Sequence, residues 1–306
     1  MIELKKPRWI YILLIIGLFS MIARWLLKSP YGNTALMYVA VPYLVSVALF
    51  QLTPDLSKKG TGSGLGRHVL LAIIIMLASS AILFEGFICV LFFMPIYLFI
   101  VCITFWAKEA SEKRKFEKGH KLNAAVWPLI VGVLAIEGFT PSTTFERKNS
   151  VTRTVIARAD IATLKANMAA PISLPKKRGW FLSIFPLPVK VQAGTLAAGD
   201  IHSLDFIYKR WFFPNVKTGE FHLKIDAVED YYIRTKVVKN TSYLASYLDI
   251  QGTEINFTPL HSGATEVALT VHYERKLDPA WYFAPLQEYA VGQSADYLIR
   301  SVIARE

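Results

Sequence analysis

Cysteine is scarce in this chain: there are two in 306 residues, Cys89 and Cys102, and both fall inside one apolar run. Helical geometry would hold them roughly 20 Å apart, too far for a disulfide. From Pro141 onward there is no cysteine at all, so cysteine usage fits either side of a membrane. Neither HExxH nor a closely spaced cysteine pair occurs, which removes the usual zinc signatures. His202, His222, His261 and His272 are scattered and accompany no nucleophile motif of the kind covalent catalysis needs, so the sequence names no catalytic residue, no metal ligand and no cofactor. A concentrated basic face is also missing. Pro141 to Glu306 has 20 Lys/Arg against 16 Asp/Glu, a net +4 spread evenly, and that argues against a nucleic-acid partner.

What the first half does have is long apolar runs. Met1 to Thr140 holds 14 Lys/Arg and 7 Asp/Glu, nearly all in three short clusters. The runs between them predict transmembrane helices over about 9–27, 35–52, 69–84, 87–106 and 122–139, since about 20 residues cross a bilayer. The stretch 69–106 is too long for one crossing and is expected to turn back at Glu85-Gly86, where its one acid and its one glycine meet. Lys5, Lys6 and Arg8, then Lys58, Lys59 and Arg67, then the bases from Lys108 to Lys121 share one side in this scheme. Cytoplasmic loops carry the excess of Lys and Arg, so the N-terminus is expected inside and the domain 141–306 outside. In a bacterium that means the inner membrane, with a periplasmic or extracellular domain. The first segment begins like a secretory signal but lacks a small-residue cleavage site, and is read as an uncleaved anchor.

Two features of this half invite functional readings. Gly60, Gly62, Gly64 and Gly66 alternate, but no strand precedes them and no P-loop lysine follows at the required spacing, so a flexible linker is expected. Glu-Gly-Phe occurs at Glu85 and again at Glu137. Both acids fall at the membrane rim, where a carboxylate serves as a proton or ligand site, or else stays hydrated or caps the N-terminus of the following helix; the structural role is the favoured reading.

The second half alternates apolar and polar residues, the mark of half-buried strands. Leu204, Phe206 and Tyr208 put the apolar set on even positions, whereas Phe221, Leu223, Ile225 and then Tyr231, Ile233, Val237 put it on odd ones. Val267, Leu269, Val271 and Tyr273 form another strand. A short helix is predicted over Ile161 to Met168 with Asp160 as N-cap. A long helix is predicted from about Pro279 to Ala304, with Tyr282, Leu286, Tyr289, Gln293 and Tyr297 as its stripe. Lys176, Lys177 and Arg178 precede Trp180, Phe181, Leu182, Ile184 and Phe185, a segment expected to pack on the sheet in preference to dipping into a membrane interface. The expected class is an α-helical transmembrane bundle of about five helices followed by an α+β domain, a curved antiparallel sheet around a long C-terminal helix.

The stretch from Val151 to Glu306 resembles the START-like superfamily that includes the Bet v 1 allergens and polyketide cyclases, the SRPBCC fold. The resemblance rests on Val151 to Asp160, Gly179 to Pro188, Gly263 to Val267 entering the last strand, and Tyr273 to Pro279 leading into the final helix. The membrane half, with Glu85 to Cys89 and Met94-Pro95, looks like that of an uncharacterised bacterial group. The superfamily implies a cavity between sheet and helix for apolar molecules. Tyr208, Arg210, Tyr231, Tyr273, Tyr289 and Gln293 are the residues here that would line it. The expected function is a membrane-tethered, extracytoplasmic binding domain for an apolar or amphiphilic ligand, with membrane lipids as partners. A cyclase or hydrolase using Asp205, Asp226, Asp230 or Glu254, and a filled-core interaction module, remain the alternatives.

Overall fold

The computed structural model describes residues 8–52, 61–83, 87–116, 123–170, 174, 178–185, 188–192, 195–209, 216–261 and 263–305. They form two compact units: Met1–Phe145 with Leu277–Ala280, and Glu146–Lys276 with Trp281–Glu306.

The first unit is helical: α1 (Arg8–Lys28), a π turn (Leu36–Ala40) leading into α2 (Val41–Leu52), α3 (Thr61–Leu83), α4 (Phe87–Phe116) and α5 (Asn123–Ala135). The π turn lies where Pro42, lacking an N–H, withholds a hydrogen bond from the carbonyl of Tyr38. Among the described residues, three stretches are long and apolar enough to cross a membrane: Tyr11–Lys28, Gly64–Leu83 and Val90–Ala110. Leu36–Gln51 is apolar but shorter. The 13 residues of α5 extend only about 20 Å, because the chain leaves the helix after Ala135 to turn at Glu137 and Gly138. The five expected crossings thus correspond to five helices, of which three have the length and composition of a span. Helix α3 starts at Thr61, so Gly62, Gly64 and Gly66 are helical and not in a linker. Glu85 lies outside the described residues, between the end of α3 and the start of α4.

Polar side chains tie these helices together. Ser46 Oγ on α2 lies 2.8 Å from His68 Nε2 on α3, and the Tyr97 hydroxyl on α4 donates to the Ala72 carbonyl at 3.0 Å. Interhelical hydrogen bonds of this kind fix register where lipid offers no hydrophobic drive for association.

The second unit is a seven-stranded antiparallel sheet with three helices. Its strands are β1 (Lys148–Ala157), β2 (Pro188–Gln192), β3 (Ile201–Lys209), β4 (Val216–Val228), β5 (Tyr232–Asn240), β6 (Leu248–Pro259) and β7 (Thr265–Arg275), in the order β1-β7-β6-β5-β4-β3-β2. Helices α6 (Ile161–Ala169) and α7 (Trp180–Ser183) follow β1, and α8 (Ala280–Leu298), continued by a π turn at Ile299–Ala304, ends the chain. Asp160 caps α6 as predicted, accepting from the Thr163 N–H at 2.8 Å.

Directly opposed residues share a face in an antiparallel pair. Leu204 opposes Phe221 and His202 opposes Leu223; Leu223 opposes Val237 and Ile225 opposes Thr235; Ile233 opposes Ile255; Phe257 opposes Val267; Val151 opposes Val271. The even set of β3 and the odd sets of β4 to β7 and β1 are therefore one surface, the concave face against α8. The change of parity read in the sequence is this register.

Candidate functional site

Burial across the concave face is uneven. Where β1, β7, β6 and β5 meet α8 the face is closed. Val267, Leu269, Ile255, Phe257 and Ile233 are at most 4% exposed and pack with Val291, Ala295, Ile299 and Ile303. These helix positions recur every four residues, and Phe283 and Gln287 continue the row toward the helix N-terminus, both buried. The predicted stripe through Tyr282, Tyr289 and Tyr297 flanks this row; Tyr289 is 45% exposed. Small and branched side chains occupy the seam because the sheet comes close there, and the larger rings are displaced to the side.

Farther along the sheet the same face is only half covered. Leu204 and Phe206 on β3, Phe221 and Leu223 on β4, and Val237 on β5 are apolar, point inward and are partly exposed. On β3 this open stretch lies between two buried polar residues, His202 and Tyr208, each 7% exposed. His202 Nε2 lies 3.2 Å from the Thr195 carbonyl, and the Thr195 hydroxyl bonds the Asp200 carboxylate. His202 is thus a buried, inward-facing residue. His222 stands on the other face, beside Glu220 at 3.4 Å, because it is Ser203 and not His202 that it opposes.

The far end of the open stretch is walled by the β5–β6 connection. A Cβ on Gly219 would stand 2.6 Å from Ser242 Cα and 2.8 Å from the Thr241 carbonyl oxygen, so this strap crosses the sheet at backbone contact distance. Tyr243 on the strap stacks on Tyr208, centroids 4.6 Å apart, and its hydroxyl is 3.1 Å from that of Tyr247. Gln287 Nε2, from α8, donates to the Tyr247 carbonyl at 3.0 Å. Between the closed and open parts, the hydroxyls of Thr235 and Thr253 bond each other at 2.8 Å, adding a polar spot to an otherwise apolar face.

Of the expected lining residues, Tyr208 is in the wall just described. Tyr273 is inward and 3% exposed, and its phenol titrates above the ordinary range because it is buried and faces the charge of Glu288. Gln293 is half-buried on α8. Tyr289 packs edge-on against Phe181 at 5.0 Å. Tyr231 is 57% exposed in the turn before β5, which begins one residue later than expected, so it does not join the face. Arg210 lies outside the described residues. Phe181 and Leu182 are buried while Trp180 is 76% exposed, so the segment after Arg178 does pack, apart from its tryptophan. Glu137, 8% exposed, accepts from the Ala280 N–H at 2.6 Å, a bond within the first unit.

Asp205 and Glu254 occupy convex positions by register. Asp226 pairs with Arg234 at 2.7 Å and Lys236 at 3.2 Å, and hydrogen bonds from these two bases hold its carboxyl below the ordinary value. Asp230 is exposed. None of these four acids faces the concave side. Among the described residues, no group of three or more His, Cys, Asp or Glu is placed to hold a metal ion.

No family model and no curated protein matches the chain. Solved structures align with about half of it. A START superfamily protein from Mycobacterium smegmatis is 16% identical, covering 51% of this chain and 95% of its own, with a TM-score of 0.35. The Zhui aromatase/cyclase from a Streptomyces species is 15% identical, covering 51% and 96%, with a TM-score of 0.32. Norcoclaurine synthase from Thalictrum flavum, in complex with dopamine and hydroxybenzaldehyde, is 14% identical, covering 52% and 88%, also at 0.32. The sheet order, the register and the C-terminal helix established above define the helix-grip architecture without them.

Proposed function

We propose that the second unit is a binding domain for an apolar or amphiphilic molecule, tethered to a membrane by the helices of the first. The observation that carries this is the partly exposed apolar window of Leu204, Phe206, Phe221, Leu223 and Val237, beside the sealed part of the same face. Apolar surface left open inside a concavity and edged by a few polar groups is the composition of small-molecule seats. A filled interaction module would instead close the whole face, and the enzyme reading lacks its inward carboxylate among the four acids considered.

The tether rests on three helices long and apolar enough to span. The basic clusters favour five crossings over three. With Leu36–Leu52 and α5 also crossing, every cluster stays on the cytoplasmic side, whereas with three the bases around Lys108 to Lys121 would be carried out. In this arrangement the N-terminus is cytoplasmic and the binding domain faces the periplasm or exterior. Holding the domain at the bilayer raises the local concentration of a membrane-derived ligand.

The test is photolabelling of the full chain in lipid nanodiscs with an aliphatic diazirine probe, followed by peptide mapping. Adducts on β3 and β4 that vanish in Leu204→Trp, which fills the window, are the expected result. Labelling confined to α1–α5 would overturn the reading.

A further inference from the structure

Gln287 is 7% exposed and sits in the inward row of α8. Its amide nitrogen is used: Nε2 donates to the Tyr247 carbonyl. Its amide oxygen is not: Oε1 is buried with no hydrogen-bond partner. The assignment of the two atoms is fixed chemically, since the Tyr247 carbonyl takes a donor and a flipped amide would set two acceptors against each other. Buried acceptors are nearly always satisfied, so an orphan marks a place where a partner is missing. Gln287 thus holds the backbone of the strap at Tyr247, the residue whose hydroxyl meets that of Tyr243 in the wall that ends the apolar window.

We propose that Gln287 is the polar orienting residue of the seat, its Oε1 accepting a hydrogen bond from the head of the bound molecule. This rests on the ligand-binding reading above and narrows it to a class. The occupant carries a neutral donor, a hydroxyl or an amide N–H, at one end of an apolar body. An ionised carboxylate or a phosphate diester has only acceptors to offer this oxygen. Oε1 is sealed from bulk water, so seating the head requires the strap to yield locally at Tyr247, and the new hydrogen bond then satisfies the orphan.

The experiment competes two unlabelled probes against the diazirine probe on the full chain in nanodiscs: a long-chain fatty alcohol and its methyl ether, alike in apolar surface but unlike in the donor. The alcohol is expected to compete roughly two- to tenfold better, the worth of one net hydrogen bond, and the ratio is expected to fall to about one in Gln287→Met, which keeps the side-chain length and the apolar fit. Because the readout is a ratio within one protein, any loss of stability from breaking the Tyr247 bond leaves it unmoved. Should Gln287→Met not fold, Gln287→Glu takes its place: burial keeps its carboxyl protonated, so it donates to the Tyr247 carbonyl, keeps an acceptor and should retain the preference for the alcohol. Equal competition by alcohol and ether in the wild type, or an undiminished preference in Gln287→Met, would overturn the role of Gln287. Absence of any labelling on β3 and β4 would sink the seat itself, which is a different outcome.

Discussion

One sheet here presents two different surfaces on the same side. Along β7, and at Ile255 and Phe257 of β6, the inward residues are sealed against the C-terminal half of α8. From β4 to β3 the inward residues are just as apolar but half open. The strands are alike in alternation, so the difference comes from what covers them: a close-packed row of Val291, Ala295, Ile299 and Ile303 in one case, a strap that reaches only the far end in the other. Apolar pattern predicts which way a strand faces, and the covering element decides whether that face becomes core or seat.

The largest effect should come from cutting into the sealed half. Phe257→Ala, at a residue 3% exposed, is expected to cost about 3–5 kcal/mol through lost burial and an unfilled cavity, seen as collapse of hydrogen-exchange protection in β6 and β7. Next is Gly219→Ala, where the new methyl meets backbone of the strap, which has no rotamer to change; about 1–3 kcal/mol is expected, with exchange rising first in Thr241 to Tyr247. The open half should behave oppositely. Phe206→Ala is expected to lower stability by about 1 kcal/mol or less, since the ring is already partly exposed, while removing most of the photolabelling. A comparable loss of stability in Phe206→Ala and Phe257→Ala would erase the distinction between the halves.

The smallest effect sharpens the contrast from the convex side. A carboxyl lowered in the folded state, as at Asp226, lends stability above its ordinary value near 4 and loses it as pH falls through the lower folded value. Asp226→Asn should therefore flatten the acid limb of a melting-temperature profile and leave ligand capture alone. A change in capture would mean the two faces communicate.

Much of this was legible in the residues. Leu204-Phe206-Tyr208 against Phe221-Leu223-Ile225 announced the parity of the concave face, and Asp160 announced α6. The strap was not legible, because Thr241 to Tyr247 has no periodicity and its role depends on how closely its backbone crosses β4 at Gly219. One signal was there: Gly219, a glycine inside a strand, which marks the close approach of another backbone. The inward turn of His202 and the row through Gln287 were hidden for a related reason. A polar residue on a core face and one on a wet face look the same until register is known, and on α8 the bulky tyrosines outweighed the small residues that do the packing. The helical start at Thr61 escaped notice because glycine reads as a breaker by the habits of proteins in water.

A last consequence concerns the end of the sheet at β2. This strand has five residues, opens with Pro188, carries Lys190 and shifts register between the two. A proline offers no N–H to a newcomer, a lysine brings charge and hydration, and a bulge spoils the spacing a further strand would need. If the helices tether the protein to a membrane as proposed, copies diffusing in two dimensions would meet often, and at this border they could crowd without zipping together.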